Sequence, residues 1–344
     1  MTTQTTKHTA LTPSEIDPAP KNLVARMLRK LAESPEAGVV TACVLVFIAI
    51  SLKAPTYHNA GNLQVMGRDL SQVGILAIGE ALVILTGGID LSVGGLAGLA
   101  GILTAWFNVR EGLSAPVAIA VTLVICAAIG FWHGTMVTKL QVAPFVITLV
   151  TLTVSEGLAL AITTGTPING ISSLFSKMSR FGVFDVPLPA VIFAGVVAIT
   201  WVILERTYVG RQIYAVGGNR EAARLAGIPT ARRIISCYVA SAALAGVVGV
   251  LVIGRMNVAD PSVGSTGWEL VAIAAAVVGG VALTGGEGRI LGVAAGAILL
   301  EFITNGLLAM RVSPYYQQVV QGAVLGIAIL ADRFRARKFG RTRA

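Results

Sequence analysis

Long apolar segments alternate with short polar ones along almost the whole chain. Each apolar segment is close to the roughly 20 residues that an α-helix needs to cross about 30 Å of hydrocarbon. We predict membrane spans at Ala37–Ala54, Leu70–Gly87, Leu91–Phe107, Ala115–Thr138, Ala143–Thr163, Pro189–Leu204, Ile234–Gly254, Gly267–Leu283, Ile290–Ala309 and Tyr315–Ala331. The pattern therefore predicts an all-α polytopic membrane protein with about ten transmembrane helices.

Polar segments divide the chain into regions. A membrane domain is predicted at 37–332, with a central polar loop at 205–233 and polar tails at 1–36 and 333–344. The first tail has no apolar core of a secretory signal, so the first span is expected to act as the insertion signal. An interfacial helix is expected near Leu23–Leu31.

Composition agrees with a membrane protein and excludes other classes. The 344 residues are 55% hydrophobic and 12% charged, whereas a soluble domain carries about 25% charged residues. The net charge of +9 is not arranged as a basic stripe interleaved with aromatic residues, so we exclude nucleic-acid binding. Cys43, Cys126 and Cys237 lie in separate spans, a spacing that predicts neither a disulfide framework nor a metal site.

Positive charges predict the orientation. With the N-terminus inside, the cytoplasmic side collects 19 of the 26 Lys and Arg residues and the outer side collects seven. Cytoplasmic loops characteristically carry this excess. Ten spans with both termini in the cytoplasm satisfy it. Two glycine-rich passages, Thr86–Gly94 and Thr284–Gly292, align without gaps and suggest a parallel internal repeat.

The longest polar interruption runs from Gly217 to Pro229. Asn219 is a good N-cap, because its side chain accepts from free amides of a first helical turn. Residues 220–226 have high helix propensity, and Gly227 is suited to stop the helix. A helix of about two turns is unstable alone in water. The pattern indicates either a capped connector between spans or a short helix that docks on a partner.

Several polar side chains fall within or beside the spans. They are Glu80, Asp90, Glu156, Glu269, Glu301, Asn305, Gln317, Gln318 and Gln321. A charge at mid-bilayer costs about 3 kcal/mol on insertion scales, so such groups face a bundle interior or an aqueous cavity. A possible translocation path is predicted to be lined by Gly88, Asp90, Ser92, Glu80 and Asn305. A proton relay of carboxylates and simple hydrogen bonding between helices remain alternatives. The aromatic residues Trp132, Phe145, Phe302, Tyr315 and Tyr316 are candidates for stacking on a sugar or for packing.

No catalytic motif is visible. The chain lacks the Gly-x4-Gly-Lys-Ser/Thr phosphate loop, zinc-ligand spacing and the Gly-x-Ser-x-Gly elbow. We therefore predict a protein that is not an enzyme and binds no metal or cofactor of its own. A partner or an ion gradient would supply energy. The second source defines an alternative function, an ion-coupled secondary carrier that uses the intramembrane carboxylates Glu80, Asp90 or Glu156.

A set of motifs carries a family resemblance. Glu221-Ala222-Ala223-x-x-x-Gly227 matches the EAA–Gly motif of ATP-binding-cassette importer permeases. Blocks that resemble the ribose-type sugar permeases, in the same order, are Ile84–Gly94, Thr166–Asn169, Tyr214–Ile228, Glu269–Ala275, Gly285–Ile290 and Ser313–Gln317. The resemblance covers about residues 38–332.

The resemblance implies a permease subunit of the inner membrane of a prokaryote. Two copies of this subunit would work together as a homodimer. Its implied partners are an ATPase that binds ATP and Mg, often with two fused nucleotide-binding halves, and an extracytoplasmic sugar-binding protein. The short helix after the sixth span would be the coupling helix. The positions implied to couple to the ATPase are Gly218, Asn219, Arg220, Glu221, Ala222, Ala223, Arg224 and Gly227.

Overall fold

The computed structural model describes residues 36–330 except 181, 184–185, 266, 314–315, 318, 325 and 328–329. Its helices are α1 (Ala37–Lys53), α2 (Ala60–Leu85), α3 (Val93–Val109), α4 (Ala115–Lys139), α5 (Pro144–Thr163), α6 (Ser173–Arg180), α7 (Leu188–Arg206), α8 (Tyr208–Gly218), α9 (Arg220–Leu225), α10 (Thr230–Met256), α11 (Trp268–Val278) and α12 (Ile290–Ala309). A 3-10 turn covers Pro261–Ser265, and strands β1 (Gly182–Val183) and β2 (Val186–Pro187) form a small antiparallel hairpin. Further helical residues lie between 316 and 330.

Nine of the ten predicted spans coincide with a helix whose bounds the structure gives. The ninth predicted span matches α12 at both ends. The eighth predicted span overlaps α11 but is longer than that helix. Because α11 has only 11 residues, it rises about 16 Å, half of a bilayer crossing. The tenth span lies partly outside the described residues, as do the two predicted tails and the interfacial helix near Leu23–Leu31.

Sequence patterning missed the short elements. The helices α6 and α8 and the 3-10 turn were not predicted. All three lie in predicted loops, where polar residues and glycines weaken the periodic signal. Five helices within the described residues, α4, α5, α7, α10 and α12, are long and apolar enough to cross a membrane.

The bundle is organised around α2 and α10. In the most apolar window of α10, 72% of the residues are buried, against 22% for α5 and for α7. The second half of α2, from Ser71 to Leu85, is almost completely buried and packs against α10, α11 and α12. The outer helices instead expose large apolar side chains such as Val124 and Ile199. A ring of apolar surface around a buried pair of helices is what lipid contact requires.

The helices α2 and α10 run antiparallel. At one end Asp69 forms an ion pair with Arg255, and at the other end Gly88 lies against the hydroxyl of Tyr238. Small residues allow the two helices to approach closely between these ends, since a Cβ at Gly79 would lie 3.1 Å from the Cα of Ser241. Close backbone packing of this kind holds helices together in lipid.

The structure also shows a second candidate repeat, besides the one that the glycine-rich passages suggest. The helices α2 and α10 begin 170 positions apart, at Ala60 and Thr230. Soon after each helix the chain takes a left-handed conformation, at Gly87 (φ +83°) and Asn257 (φ +56°). Because the two helices are antiparallel, this repeat is inverted.

The turns that follow the two helices have the same sequence and geometry. Each reads Asp-x-Ser-Val-Gly, at 90–94 and at 260–264. The Ser92 amide donates to Asp90 Oδ1 at 3.0 Å, and the Ser262 amide donates to Asp260 Oδ1 at 2.8 Å. In each turn the serine hydroxyl also donates to the same carboxylate oxygen. The two turns stand at opposite ends of the bundle, with the first buried and the second near the surface.

Candidate functional site

The short helix α9 projects from one end of the bundle. Asn219 caps it as predicted, since its Oδ1 accepts from the Ala222 amide at 3.0 Å. Gly227 ends the segment with φ +79°, a conformation that disfavours any residue with a Cβ. All residues of 219–227 are exposed except Ala223, and the Leu225 side chain is 75% exposed. The Leu225 side chain therefore offers apolar surface that no described residue of the bundle covers.

Ala223 anchors this segment to the bundle. It is 5% exposed and packs in a cluster that includes Val216, Ile234 and Tyr238. These partners come from α8 and α10, so α9 is held between the helices that precede and follow it. The small side chain of Ala223 permits this close approach.

The end of α8 is wedged between two glycine-rich turns. The Gly286 amide donates to the carbonyl of Leu85 at 3.0 Å, which joins the end of α2 to the turn before α12. A Cβ at Gly217 would strike both the Leu85 carbonyl and Gly286. The hydroxyl of Tyr214 donates to the Gly288 carbonyl at 2.9 Å, and burial raises the pKa of Tyr214 to about 12, so the donor proton is retained at neutral pH. Backbone contacts therefore connect α8 and α9 directly to α2 and to the start of α12.

The charges of α9 pair with one another. Arg224 donates to both carboxylate oxygens of Glu221, at 3.0 and 2.6 Å, in an exposed i,i+3 pair. These hydrogen bonds hold the pKa of Glu221 below its usual value. The carboxylate is therefore fully ionised at neutral pH. The arrangement presents a fixed charge pair and an exposed leucine on one small surface.

Three of the predicted path residues lie in a buried polar cluster near the same end. Glu80 Oε1 accepts from the Asp90 amide at 3.1 Å, and Asp90 Oδ2 accepts from the Ser241 hydroxyl at 2.9 Å. Ser92 donates to the other Asp90 oxygen. Glu80, Asp90 and Ser92 have no solvent exposure, and they line neither of the two larger cavities described below. In this conformation the cluster joins α2, α3 and α10 and offers no surface to a passing solute.

Gly88 lines a cavity at the α9 end of the bundle. The cavity has a volume of about 360 Å³, and its walls include Arg220, Gln141 and Tyr238. The Tyr238 hydroxyl is buried and has no hydrogen-bond partner among the described residues. This cavity lies directly beside the start of α9.

Asn305 lines a second cavity at the opposite end. Its volume is about 390 Å³. It is lined by α2, α10, α11 and α12 and by two residues from the helical segment after 316. The lining side chains include Asp69, Gln72, Arg255, Trp268, Glu301 and Asn305. The buried cluster around Asp90 lies between this cavity and the α9 end. The predicted path residues are thus divided among three places.

Sequence reasoning found only part of the second cavity. Asn305, Glu301, Gln317 and Gln321 were noted as intramembrane polar residues, and all four line it. Asp69, Gln72, Arg255 and Trp268 were missed as site residues. The only sequence signal among them was the opposite charge of Asp69 and Arg255 at the ends of two predicted spans. Only tertiary packing brings these two side chains together.

The aromatic candidates do not gather at either cavity. Phe302 packs on Phe47 with ring centroids 5.2 Å apart, and Phe145 and Trp132 are largely exposed on the outside of the bundle. Tyr316 is 67% exposed, and Tyr315 lies outside the described residues. Within the described chain, no group of three or more His, Cys, Asp or Glu side chains is placed to hold a metal ion.

A helical bundle with an apolar exterior, buried polar side chains and a projecting helix at one end is the architecture of a multi-pass membrane protein. The chain belongs to the family described as "Branched-chain amino acid transport system / permease component", whose model matches residues 68–329. Known relatives refine that description. The ribose import permease protein RbsC of Escherichia coli (strain K12) is 41% identical over 294 residues, which cover 84% of this chain and 91% of the relative.

Two other relatives are similar over a comparable length. The ribose import permease protein RbsC of Bacillus subtilis (strain 168) is 38% identical, covering 86% of this chain and 92% of the relative. The L-arabinose transport system permease protein AraH of Escherichia coli (strain K12) is 33% identical, covering 87% and 90%. No solved structure matches the chain. The predicted resemblance to permeases of sugar importers is confirmed.

Proposed function

We propose that this chain is the membrane-spanning subunit of an ATP-binding-cassette importer that carries a sugar or sugar-like solute across the cytoplasmic membrane of a prokaryote. The relatives named for ribose and L-arabinose transport support a sugar as the solute. A separate ATPase with two nucleotide-binding halves hydrolyses ATP. An extracytoplasmic binding protein delivers the solute, and two copies of the permease form the pathway.

Charge placement supports a cytoplasmic α9 end, in keeping with both termini on that side. The count of ten crossings stays a prediction, because α11 alone is too short to span the bilayer. Lys139, Arg289 and the arginines of α8 and α9 lie at the α9 end of the bundle, whereas Lys53, Arg110 and Arg255 belong to helix ends at the opposite side. The excess of positive charge at the α9 end supports a cytoplasmic location for that end. The ion pair between Glu36 and Arg289, at 3.5 Å, brings the start of α1 to the same end.

The observation that carries the proposal is the way α9 is mounted. Its outer surface is open to a partner, while the backbone just before it is fixed to the end of α2 and to the turn before α12. A closing motion of the ATPase against α9 would therefore move α2 and α12 as parts of a rigid body, because packed helices shift as units. Residues 218–224 and Gly227 form the coupling element in this mechanism.

The experiment compares two exposed glutamates in the reconstituted complex. Glu221→Gln removes the charge from α9, and Glu111→Gln makes the same change on an exposed residue at the opposite end. We expect the first variant to insert normally but to lose ATP-driven uptake and solute-stimulated ATP hydrolysis, and the second to retain both. Arg224→Gln separates the roles of the pair. If it matches Glu221→Gln, the pair as a whole is required.

Wild-type uptake and ATPase stimulation by the Glu221→Gln variant would refute the coupling role. Uptake that persists without ATP and collapses with a protonophore would refute the importer class itself.

A further inference from the structure

The cavity at the end opposite α9 contains polar groups that the helix packing does not use. Glu301 is 7% exposed, and the charge of Arg255 acts on its carboxyl group, but no side-chain hydrogen bond reaches it within the described part of the chain. Asn305, one turn further along α12, is 4% exposed. Its Oδ1 accepts from Asn62 Nδ2 at 2.9 Å, so its position is fixed. A buried carboxylate without donors is costly unless another molecule supplies them.

The remaining walls supply the complementary chemistry. Asp69 and Arg255 form an ion pair across α2 and α10 at the cavity wall. Gln72 adds an amide, and the indole of Trp268 adds an apolar wall. The lining thus combines acceptors, donors and an aromatic ring around one cavity.

We propose that this cavity is a transit site of the permease for a neutral polyhydroxylated solute of monosaccharide size. Hydroxyl groups both donate and accept, so a sugar satisfies the acceptor Glu301 and the donors Arg255 and Asn305 at the same time. Its C–H faces suit contact with Trp268. The volume of about 390 Å³ falls at the low end of the roughly 300–1,000 Å³ usual for small-ligand pockets.

The position of the cavity gives it a place in transport. It lies at the end assigned to the outside, and the solvent-excluded cluster around Asp90 separates it from the α9 end. A solute that enters is therefore held until α2 and α10 move apart at that cluster. This role rests on the proposed function, since the same helices α2 and α12 are attached to α9.

Cysteine protection tests the site without the ATPase or the binding protein. The natural cysteines are replaced by alanine, and Thr304→Cys or Asn305→Cys places a thiol in the cavity wall. A control, Ser262→Cys, places one on the exposed outer turn. The purified permease in lipid vesicles is labelled with a small methanethiosulfonate in the presence of D-ribose, L-arabinose or D-allose, or of glycine betaine at equal osmolarity.

We expect one of the sugars to slow labelling at the two cavity positions about tenfold when present at ten times its Kd, because labelling follows the fraction of empty sites. Betaine should have no effect, and Ser262→Cys should label at one rate throughout. Adding Glu301→Gln should shift protection to higher sugar concentration. The Thr304→Cys variant keeps the test valid if loss of the Asn62–Asn305 hydrogen bond unfolds the Asn305 variant.

Equal labelling with and without each sugar at both cavity positions would overturn the site while leaving ATP-driven uptake as evidence for the importer. Protection by betaine, or by sodium or potassium chloride instead of sugar, would overturn the assignment of a polyhydroxylated ligand. Protection by sugar in a protein whose uptake does not depend on ATP would uphold the site and refute the importer mechanism.

Discussion

Replacing Gly217 by alanine tests the mechanical connection between the projecting helix and the centre of the bundle. A methyl group at this position would lie 2.5 Å from the Gly286 nitrogen and 3.0 Å from its Cα, and it would also strike the Leu85 carbonyl. Comfortable contacts begin near 3.5 Å, so the backbone segments must separate by about 1 Å. Neither obstacle is a side chain that can rotate away.

The expected cost has two parts. Forcing a methyl group into a closely packed site costs about 1–3 kcal/mol. The displacement also strains the 3.0 Å hydrogen bond from the Gly286 amide to the Leu85 carbonyl, whose net contribution is about 1 kcal/mol. We therefore expect the Gly217→Ala variant to lose about 2–4 kcal/mol of stability at this junction. Because the junction joins α8 to α2, ATP hydrolysis should also become less dependent on solute.

The neighbouring glycine provides a matched control. A Cβ at Gly218 would meet no atom within 4 Å, so Gly218→Ala should be far milder. Thermal unfolding midpoints in one detergent, together with the ratio of uptake to ATP hydrolysed in vesicles, measure the two effects. Equal midpoints and equal ratios for the two variants would refute the wedge between α8 and the glycine-rich turns.

Three further substitutions test separate contacts. Gly227→Ala should cost about 1–2 kcal/mol through its positive φ alone and lower uptake by misdirecting α9, as measured by transport and unfolding assays. Gly249→Ala should destabilise the bundle by about 1–3 kcal/mol, because a Cβ would strike the Ala97 carbonyl and lie 2.7 Å from the Gly101 nitrogen of α3. Gly195→Ala, with no atom within 4 Å, should be neutral in the same melt. Asp90→Ala should destabilise more than Ser241→Ala, by about 1–3 kcal/mol, since it orphans several buried donors at once; equal melting points would contradict this order.

Local chemistry made the short helix α9 predictable from sequence. An N-cap at Asn219, strong helix formers after it and a glycine at 227 specify a short helix wherever the segment lies, and the structure has that helix. The membrane spans were predictable for a similar reason. Each must satisfy its own backbone hydrogen bonds within about 20 apolar residues, so its signal is contained in a single stretch of chain.

The short and broken elements were not predictable in this way. The apolar run at 267–283 suggests a full span, yet the helix stops at Val278 and a turn follows, with Gly280 at φ +90°. The Ala282 amide donates to the Glu287 carbonyl within the turn, but the Gly286 amide donates to the carbonyl of Leu85, about 200 positions away in the chain. Such a partner lies outside any window of local sequence.

The amino-acid sequence by itself determined the helical membrane class, the positions of most long helices, the short capped helix and the family. Tertiary structure alone decided that Glu80, Asp90 and Ser92 form a sealed cluster while Asn305 faces a cavity with Asp69, Arg255 and Trp268. It also set the inverted relation of α2 and α10. The physical reason is that hydropathy and capping act over a few turns of helix. Burial, ion pairing and cavity shape depend on which faces of antiparallel helices meet, and that is fixed only when the bundle packs.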